Sequence, residues 1–327
     1  MATGITKREV TSLLSQVDAI VEAGGDGVLE FADGRELPVS SLGKVYFPKE
    51  RYTKGDLLRY YVQVAPVLFP VIADRPLALK RFPGGITGPS FYQQKATTKV
   101  EGVHIETIKA EQSGPRYVAR DLFTFLYTVQ LGTIAVHPWL SRADSLEHPD
   151  ALVLDLDPGE GVKFTRVVEV ADAVGEVLAS LKLKGALKTS GSRGLHIFVP
   201  LPGETTWNDA AHLAEVIARR VAEHHRAIAT IERSIKKRPK GSVYVDYLQN
   251  ARGKTVACAY SVREKPGATV STPLSWDELL PGLDPRDFTI MTVPDRVAER
   301  GDLWKASLGR PRSIAKALLA ARNEDEG

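Results

Sequence analysis

The sequence predicts a mixed α/β (α+β) fold built as two lobes in one globular unit, and three observations carry that expectation. Short apolar runs such as Ala151-Leu152-Val153-Leu154 and Val243-Tyr244-Val245 alternate with longer segments of helical periodicity. Among 327 residues, 43% are hydrophobic and 25% charged, enough for a large core under an ordinary solvated surface. No flexible linker, internal repeat or low-complexity block divides the halves.

Residues 6 to 24 read as an amphipathic helix stopped at Gly24-Gly25, followed by a hairpin turning at Ala32-Asp33-Gly34. Thr53 caps a second helix, with Asp56 completing a capping box, and that helix is expected to end near Pro66 and Pro70. Extended segments are expected at Leu77 to Phe82 and Val103 to Ile108, and a buried helix from Asp121 to Leu131. Strand 151–157 then leads to a helix from Thr165 to Leu183, and strands follow at Ala186 to Thr189 and Leu195 to Val199. A helix from Trp207 to Arg226 precedes strands at Val243 to Leu248 and Thr255 to Tyr260, and a short helix lies near Ser313 to Arg322. The organisation expected is an N-terminal helix and hairpin (1–37), a catalytic domain (38–293) and a helical C-terminal tail packing on it (294–327).

Composition narrows the class. No apolar stretch is long enough to span a bilayer, and the N-terminus lacks the apolar core of a signal peptide, so a cytoplasmic protein with no membrane partner is expected. The single Cys258 cannot form an internal disulfide and excludes a cysteine-built zinc site; it reads as a small apolar strand residue in a reducing compartment. Net charge is +3, short of a strongly basic nucleic-acid binder, but basic residues cluster at Lys80-Arg81 and Lys236-Lys237-Arg238-Pro239-Lys240.

The chemistry concentrates in three segments. In Leu154-Asp155-Leu156-Asp157-Pro158-Gly159, strand alternation puts Asp155 and Asp157 side by side on one face. Each raises the other's pKa, and a divalent cation that prefers carboxylate oxygen is the usual reason to keep both ionised. An isolated D-x-D also fits a strand end entering a solvated turn. In Ser190-Gly191-Ser192-Arg193-Gly194-Leu195-His196, two glycines let backbone N–H groups approach a phosphate, Ser190 adds a hydroxyl and Arg193 a bidentate fork; the alternative is a plain glycine turn. Asp246 interrupts the apolar strand Val243 to Leu248, a costly place for a charge unless it is paired, metal-bound or at the strand end.

Together these motifs resemble the archaeo-eukaryotic primase superfamily, and most closely the polymerase domain of bacterial ligase D. Leu42-Gly43-Lys44-Val45-Tyr46-Phe47-Pro48, Tyr52-Thr53-Lys54-Gly55-Asp56, Leu79-Lys80-Arg81-Phe82-Pro83 and Val136-His137-Pro138-Trp139 look like further landmarks in the family's order, over about Pro38 to Val293. The resemblance implies central, mostly antiparallel sheets flanked by helices, and a template-dependent polymerase that adds nucleotides to 3′-hydroxyls at short gaps or recessed ends in DNA repair. It implies Mn²⁺ or Mg²⁺ at a two-metal site held by Asp155, Asp157 and Asp246. Lys80, Ser190, Arg193, His196 and Arg263 would receive the triphosphate, and His137 and Gln249 would lie near the sugar, with ribonucleotides preferred over deoxyribonucleotides. Phe91 and Tyr92 would stack on the template base, and Lys44 and Lys54 would bind the 5′-phosphate of a gapped or recessed duplex. The implied partners are DNA, an NTP or dNTP, Ku and a separate DNA ligase, since no K-x-D-G adenylation motif occurs and the chain looks like a free-standing paralogue.

Two departures stand out: Arg193 replaces a common Lys, and the aromatic pair reads Phe-Tyr rather than Phe-Phe. Duller readings compete residue by residue. Lys44 and Lys54 are also compatible with surface lysines, Phe91 and Tyr92 with core, His137 with a buried structural histidine, and 236–240 with a solvated loop. At the level of function, a primase starting synthesis de novo uses the same carboxylates, a non-catalytic DNA-end-binding protein has no need of them, and a phosphatase or nuclease has no need of the segment from Ser190 to His196.

Overall fold

The computed structural model describes residues 4–96, 100–108 and 114–319. The chain divides into two compact units: residues 1–139, 257–271 and 286–301 form the first, and residues 140–256, 272–285 and 302–327 the second.

The first unit opens with helix α1 (Lys7–Glu22), capped by the Thr6 hydroxyl, which accepts from Glu9 N–H. The hairpin β1 (Gly27–Glu30) and β2 (Glu36–Val39) follows, then the short pair β3 (Val45–Phe47) and β4 (Tyr52–Thr53). Helix α2 (Lys54–Ile72) starts at the expected capping box, where Thr53 and Asp56 each bond the other's backbone N–H. It does not stop at the prolines. Pro66 and Pro70 are exposed and one turn apart on the solvent side, while Leu57, Leu58, Tyr61, Val64, Ala65 and Leu68 are buried opposite. Packing of the buried face outweighs the proline cost.

Strands β5 (Leu77–Arg81), β6 (Phe91–Gln93), β7 (Ile105–Ile108) and β8 (Gly114–Tyr117) come next, then helix α3 (Leu122–Gln130), capped by Asp121, and strand β9 (Thr133–Pro138). An antiparallel sheet runs β6-β5-β9, and β7 pairs with β8.

The second unit is organised on strand β10 (Ala151–Pro158), followed by helix α4 (Phe164–Ser180), strands β11 (Ala186–Thr189) and β12 (Leu195–Pro200), helix α5 (Trp207–His224), and strands β13 (Ala229–Thr230), β14 (Val243–Asp246) and β15 (Pro273–Leu274). They form one six-stranded sheet in the order β13-β14-β10-β12-β11-β15, antiparallel except for β13 with β14. Leu152, Leu154 and Leu156 point to one face and are fully buried; Val153, Asp155 and Asp157 point to the other. Helices α4 and α5 pack on each other and on β10, covering one face of the sheet.

The expected strand from Thr255 to Tyr260 is absent. Its later residues run as a loop within the first unit, where Cys258 N–H donates to Val136 O and Tyr260 N–H to Ser271 O. Tyr260 has φ 65°, which no strand admits. Cys258 is buried, in that loop rather than in a strand. Helix α6 (Val293–Arg300) belongs to the first unit and α7 (Leu303–Leu308) to the second. A last helical turn begins at Ala315, and the rest of the helix expected to reach Arg322 lies outside the described residues. Among the described residues no helix is long and apolar enough to cross a membrane.

Candidate active site

In the second unit the sheet register aligns four polar residues in one row. Lys188 on β11 lies opposite His196 on β12, His196 opposite Asp155 on β10, and Asp155 opposite Asp246 on β14. Directly paired residues share a face, and neighbouring strands lie about 4.8 Å apart, so the four side chains rise from the sheet as one transverse line. Asp157, two residues along β10, stands on the same face opposite Tyr244.

The acids are restrained differently. Asp155 Oδ1 lies 3.3 Å from His196 Nε2. Asp157 is half exposed, with its Oδ2 3.6 Å from Arg238. Loss of hydration and then the neighbouring Asp155 raise its carboxyl above the ordinary value, while Arg238 and Arg193 pull it back. Asp246 accepts from Leu248 N–H at 2.8 Å and the Tyr244 hydroxyl at 3.4 Å through one oxygen, and from Gln249 Nε2 at 2.9 Å through the other. Among the described residues no three His, Cys, Asp and Glu side chains are gathered into a ready metal-binding group. The backbone nevertheless brings three carboxylates to adjacent positions on paired strands, and all the donors are oxygen. That set fits Mn²⁺ or Mg²⁺, once the Asp246 side chain gives up bonds within its own loop.

The turn between β11 and β12 is closed on itself. The Ser190 hydroxyl accepts from Ser192 N–H (3.2 Å) and Gly194 N–H (3.1 Å), while Ser190 N–H donates to Gly194 O at 2.9 Å. Gly191 holds φ 68°. Gly194 has no substitute, because a Cβ there would sit 2.1 Å from the Leu156 carbonyl oxygen of β10. The turn thus presses against the strand that carries the acids, with Arg193 exposed at its tip and Ser190 and His196 buried below.

Arg238 and Tyr244 frame the acids. The guanidinium sits 3.9 Å from the Tyr244 ring centre and is tethered to Glu232 O at 3.0 Å and Arg233 O at 3.4 Å. Sequence reading found the basic run but not its contact with Asp157; Tyr244 gave no signal beyond an ordinary strand aromatic. Asn250, buried just past β14, accepts from Val153 N–H and donates to Val153 O, both at 2.7 Å, so its amide continues the ladder where β14 has ended.

In the first unit a second group gathers on the β6-β5-β9 sheet. Tyr92 pairs with Lys80, and His137 pairs with Ala78, which places Lys80, His137 and Tyr92 on one face. The Tyr92 and His137 rings meet edge to face at 6.2 Å, and Lys80 Nζ lies 5.5 Å from the Tyr92 ring centre. His137 is buried. Lys80 binds Glu264, whose other oxygen lies 3.6 Å from Arg263 Nε. Burial pushes the Glu264 carboxyl up, but the hydrogen bond from Lys80 and the charge of Arg263 prevail and hold it at about 2. Glu264 was not read as a site residue, since an acid between Arg263 and Lys265 looks like ordinary surface charge.

Phe91 and Tyr92 are 47% and 58% exposed, which excludes the core reading for both. They point to opposite faces: Tyr92 toward Lys80 and His137, Phe91 over Arg81 at 5.2 Å. Lys44 and Lys54 are brought together by pairing of β3 with β4 and by a backbone bond from Lys54 N–H to Lys44 O. Lys44 is exposed and donates to Pro83 O; Lys54 is buried and donates to Ser40 O at 2.9 Å. Burial, helped by Lys44 and Arg81, lowers the Lys54 ammonium to about 8.

Comparison with known proteins adds an independent line. A family model described as LigD, primase-polymerase domain, matches residues 53–304. The multifunctional non-homologous end joining protein LigD of Pseudomonas aeruginosa is 31% identical over 280 residues, which cover 83% of this chain and 33% of that protein. The bifunctional non-homologous end joining protein LigD of Bacillus subtilis is 31% identical over 271 residues, 81% of this chain and 43% of that protein. This chain therefore spans less than half the length of the curated relatives it matches. A solved structure of the polymerase domain from Mycobacterium tuberculosis ligase D in complex with DNA superposes with a TM-score of 0.76 at 31% identity, covering 84% of this chain and 99% of that one.

Proposed function

The chain belongs to the LigD primase–polymerase family, and from that premise we propose that it is a DNA-repair nucleotidyltransferase that extends 3′-hydroxyls at gapped or recessed DNA ends, with ribonucleotides preferred. The observation that carries this reading is the row on paired strands that sets Asp155 opposite Asp246, with Asp157 beside them and the Ser190–Gly194 turn against the same strand. A phosphatase or nuclease has use for the acids but none for a turn of this kind, which closes its own Ser190, Ser192 and Gly194 N–H groups and holds the exposed Arg193 fork at its tip, suited to a polyphosphate.

In this proposal Asp155, Asp157 and Asp246 hold Mn²⁺ or Mg²⁺, and two such ions, when bound, supply Lewis-acid activation of the attacking hydroxyl and of the phosphoryl group. The protein's own contribution is placement and charge. Asp246 is tied to Gln249, which the same reading places near the sugar, so nucleotide entry and Asp246 orientation are linked through one amide. Arg193 takes triphosphate oxygens, and Lys80 and Arg263 supply further positive charge toward the nucleotide, with His137 near the sugar. His196, expected from the sequence to be another triphosphate contact, has both ring nitrogens engaged, by Lys188 at 2.7 Å and by Asp155 at 3.3 Å, and serves the acids instead. Tyr92 stacks on the template base. Lys44 and Lys54 bind the 5′-phosphate of the downstream strand, a role supported by their backbone bond and by Arg81 among the charges acting on Lys54. The cytosol as location, and Ku and a DNA ligase activity as partners, belong to the same proposal.

The test is nucleotide addition to a short gapped duplex bearing a 5′-phosphate. It compares rNTP with dNTP, Mn²⁺ with Mg²⁺, and wild type with Asp157→Ala. Metal-dependent addition that disappears in the variant supports the proposal. Binding without addition on gapped, recessed and primer-free templates replaces it with a non-catalytic end-binding role.

A further inference from the structure

The row across the sheet does not end at the acids. Lys188 on β11 has no exposed surface, and its ammonium lies 2.7 Å from His196 Nδ1. His196 is itself buried, and its other ring nitrogen, Nε2, lies 3.3 Å from Asp155 Oδ1. Each contact joins residues directly opposed in the sheet register, so Lys188, His196 and Asp155 form a continuous side-chain line across three adjacent strands. With Lys188 as the ammonium, which only donates hydrogen bonds, Nδ1 of His196 accepts and the ring hydrogen is left on Nε2, on the side of Asp155.

From this geometry we propose that Lys188 is a positioning residue for the nucleotidyl-transfer centre. It fixes His196 as the Nε2–H tautomer, and His196 in turn orients the Asp155 carboxylate. Lys188 touches neither nucleotide nor metal in this scheme; it acts through His196. His196 is thereby a hydrogen-bond donor with a fixed direction rather than a proton acceptor at Nε2. Burial of the lysine in a strand between β12 and β15 leaves its stem no alternative course, which makes the row a rigid support for the acid at its far end. Outer partners of this kind typically change metal affinity or activity by about tenfold to a hundredfold when removed.

The inference rests on the polymerase reading for its consequence but not for its first test. In metal-free protein carrying ¹⁵N-histidine, with His196→Gln used to assign the resonance, the wild type should show the Nε2–H tautomer. Lys188→Met, similar in length and without the donor, should shift the ring toward a mixture of tautomers. An Nδ1–H tautomer in the wild type, or an unchanged spectrum in Lys188→Met, overturns the proposal whatever the enzyme's activity. Binding of Mn²⁺, followed by the loss of free-ion electron paramagnetic resonance signal, should weaken by about tenfold or more in Lys188→Met. The same substitution should add less than about twofold in a His196→Gln background. Equal losses in both backgrounds would mean that Lys188 is structural only, and would overturn the proposal. If the tautomer behaves as expected while no variant shows nucleotide addition, the function assigned above fails and the Lys188–His196 coupling stands.

Discussion

Lys54 couples the stability of the first unit to its proposed recognition of a DNA end. Its ammonium titrates at about 8 instead of 10.5. That difference corresponds to a cost of about 3 kcal/mol for holding the charge in place at neutral pH, at about 1.4 kcal/mol per pH unit. The folded value lies below the unfolded one, so the unfolded chain binds more protons between about pH 8 and about pH 10.5, and stability rises with pH across that window. The cost is fully present below about 8 and gone above about 10.5. Replacing Lys54 by Met keeps an apolar stem and removes the charge. Relative to Lys54→Met, the wild type should therefore gain about 2 kcal/mol between about pH 7 and about pH 9.5. Urea denaturation of the two proteins at both pH values measures this directly. Parallel pH profiles would refute the reasoning, because they would mean that Lys54 is not held at a depressed pKa. The functional arm runs in the opposite direction. Preference for a 5′-phosphorylated gap should fall in the wild type as pH rises above about 8, and Lys54→Met should lack that preference at every pH. The residue is thus expected to be destabilising and useful at the same pH.

Other substitutions test other parts of the site. Gly194→Ala places a methyl group 2.1 Å from the Leu156 carbonyl, and the forced separation of β12 from β10 should destabilise by about 3 kcal/mol, read as a lowered urea midpoint; an unchanged midpoint would show that the turn is not pressed on β10. Tyr92→Ala should cost about 1–3 kcal/mol in primer–template binding, and Phe91→Ala distinctly less, because only Tyr92 shares a face with Lys80 and His137; equal losses in a binding titration would argue against the face assignment. Glu264→Gln removes the anion that competes for Lys80 and Arg263, so the KM for nucleotide should fall by about threefold to tenfold while stability drops; a raised KM would mean that Glu264 presents these cations rather than occupying them.

Where signals are local, in both units, the fold was legible in the sequence. Alternation along β10 placed Asp155 and Asp157 on one face, and Thr53 with Asp56 marked a helix start that the structure reproduces. What the sequence hid was set by contacts distant along the chain. The sequence places the end of α2 too early, because Pro66 and Pro70 are helix breakers by local chemistry, whereas in the fold both lie on the exposed side of a helix whose other face is buried. The segment at Thr255 to Tyr260 has strand-like composition, but its hydrogen bonds go to Val136 and Ser271 in a loop. Phe91 and Tyr92 were read as a pair from adjacency, whereas a strand sends neighbours to opposite faces. Lys188 carried a signal that passed unused: a lysine between Leu187 and Thr189 in a short strand needs a buried partner, and the partner lies eight residues on.

The register also explains how a charged centre is tolerated at the middle of a sheet. Three carboxylates on two paired strands repel one another, and the fold answers each with a separate group. Asp155 faces His196, backed by Lys188; Asp157 faces Arg238, itself anchored to two backbone carbonyls; Asp246 is bonded by Leu248 N–H, Tyr244 and Gln249. These supports differ in how easily they yield. The Lys188–His196 arm is buried and in register, so Asp155 is the fixed point of the centre. Arg238 meets Asp157 at 3.6 Å, beyond a good hydrogen bond, and Gln249 lies in the turn past β14, so these two arms are the ones that would release their acids to the proposed divalent cation. An asymmetric arrangement of this kind would let Asp155 hold its position while Asp157 and Asp246 yielded to a divalent cation bound as proposed above.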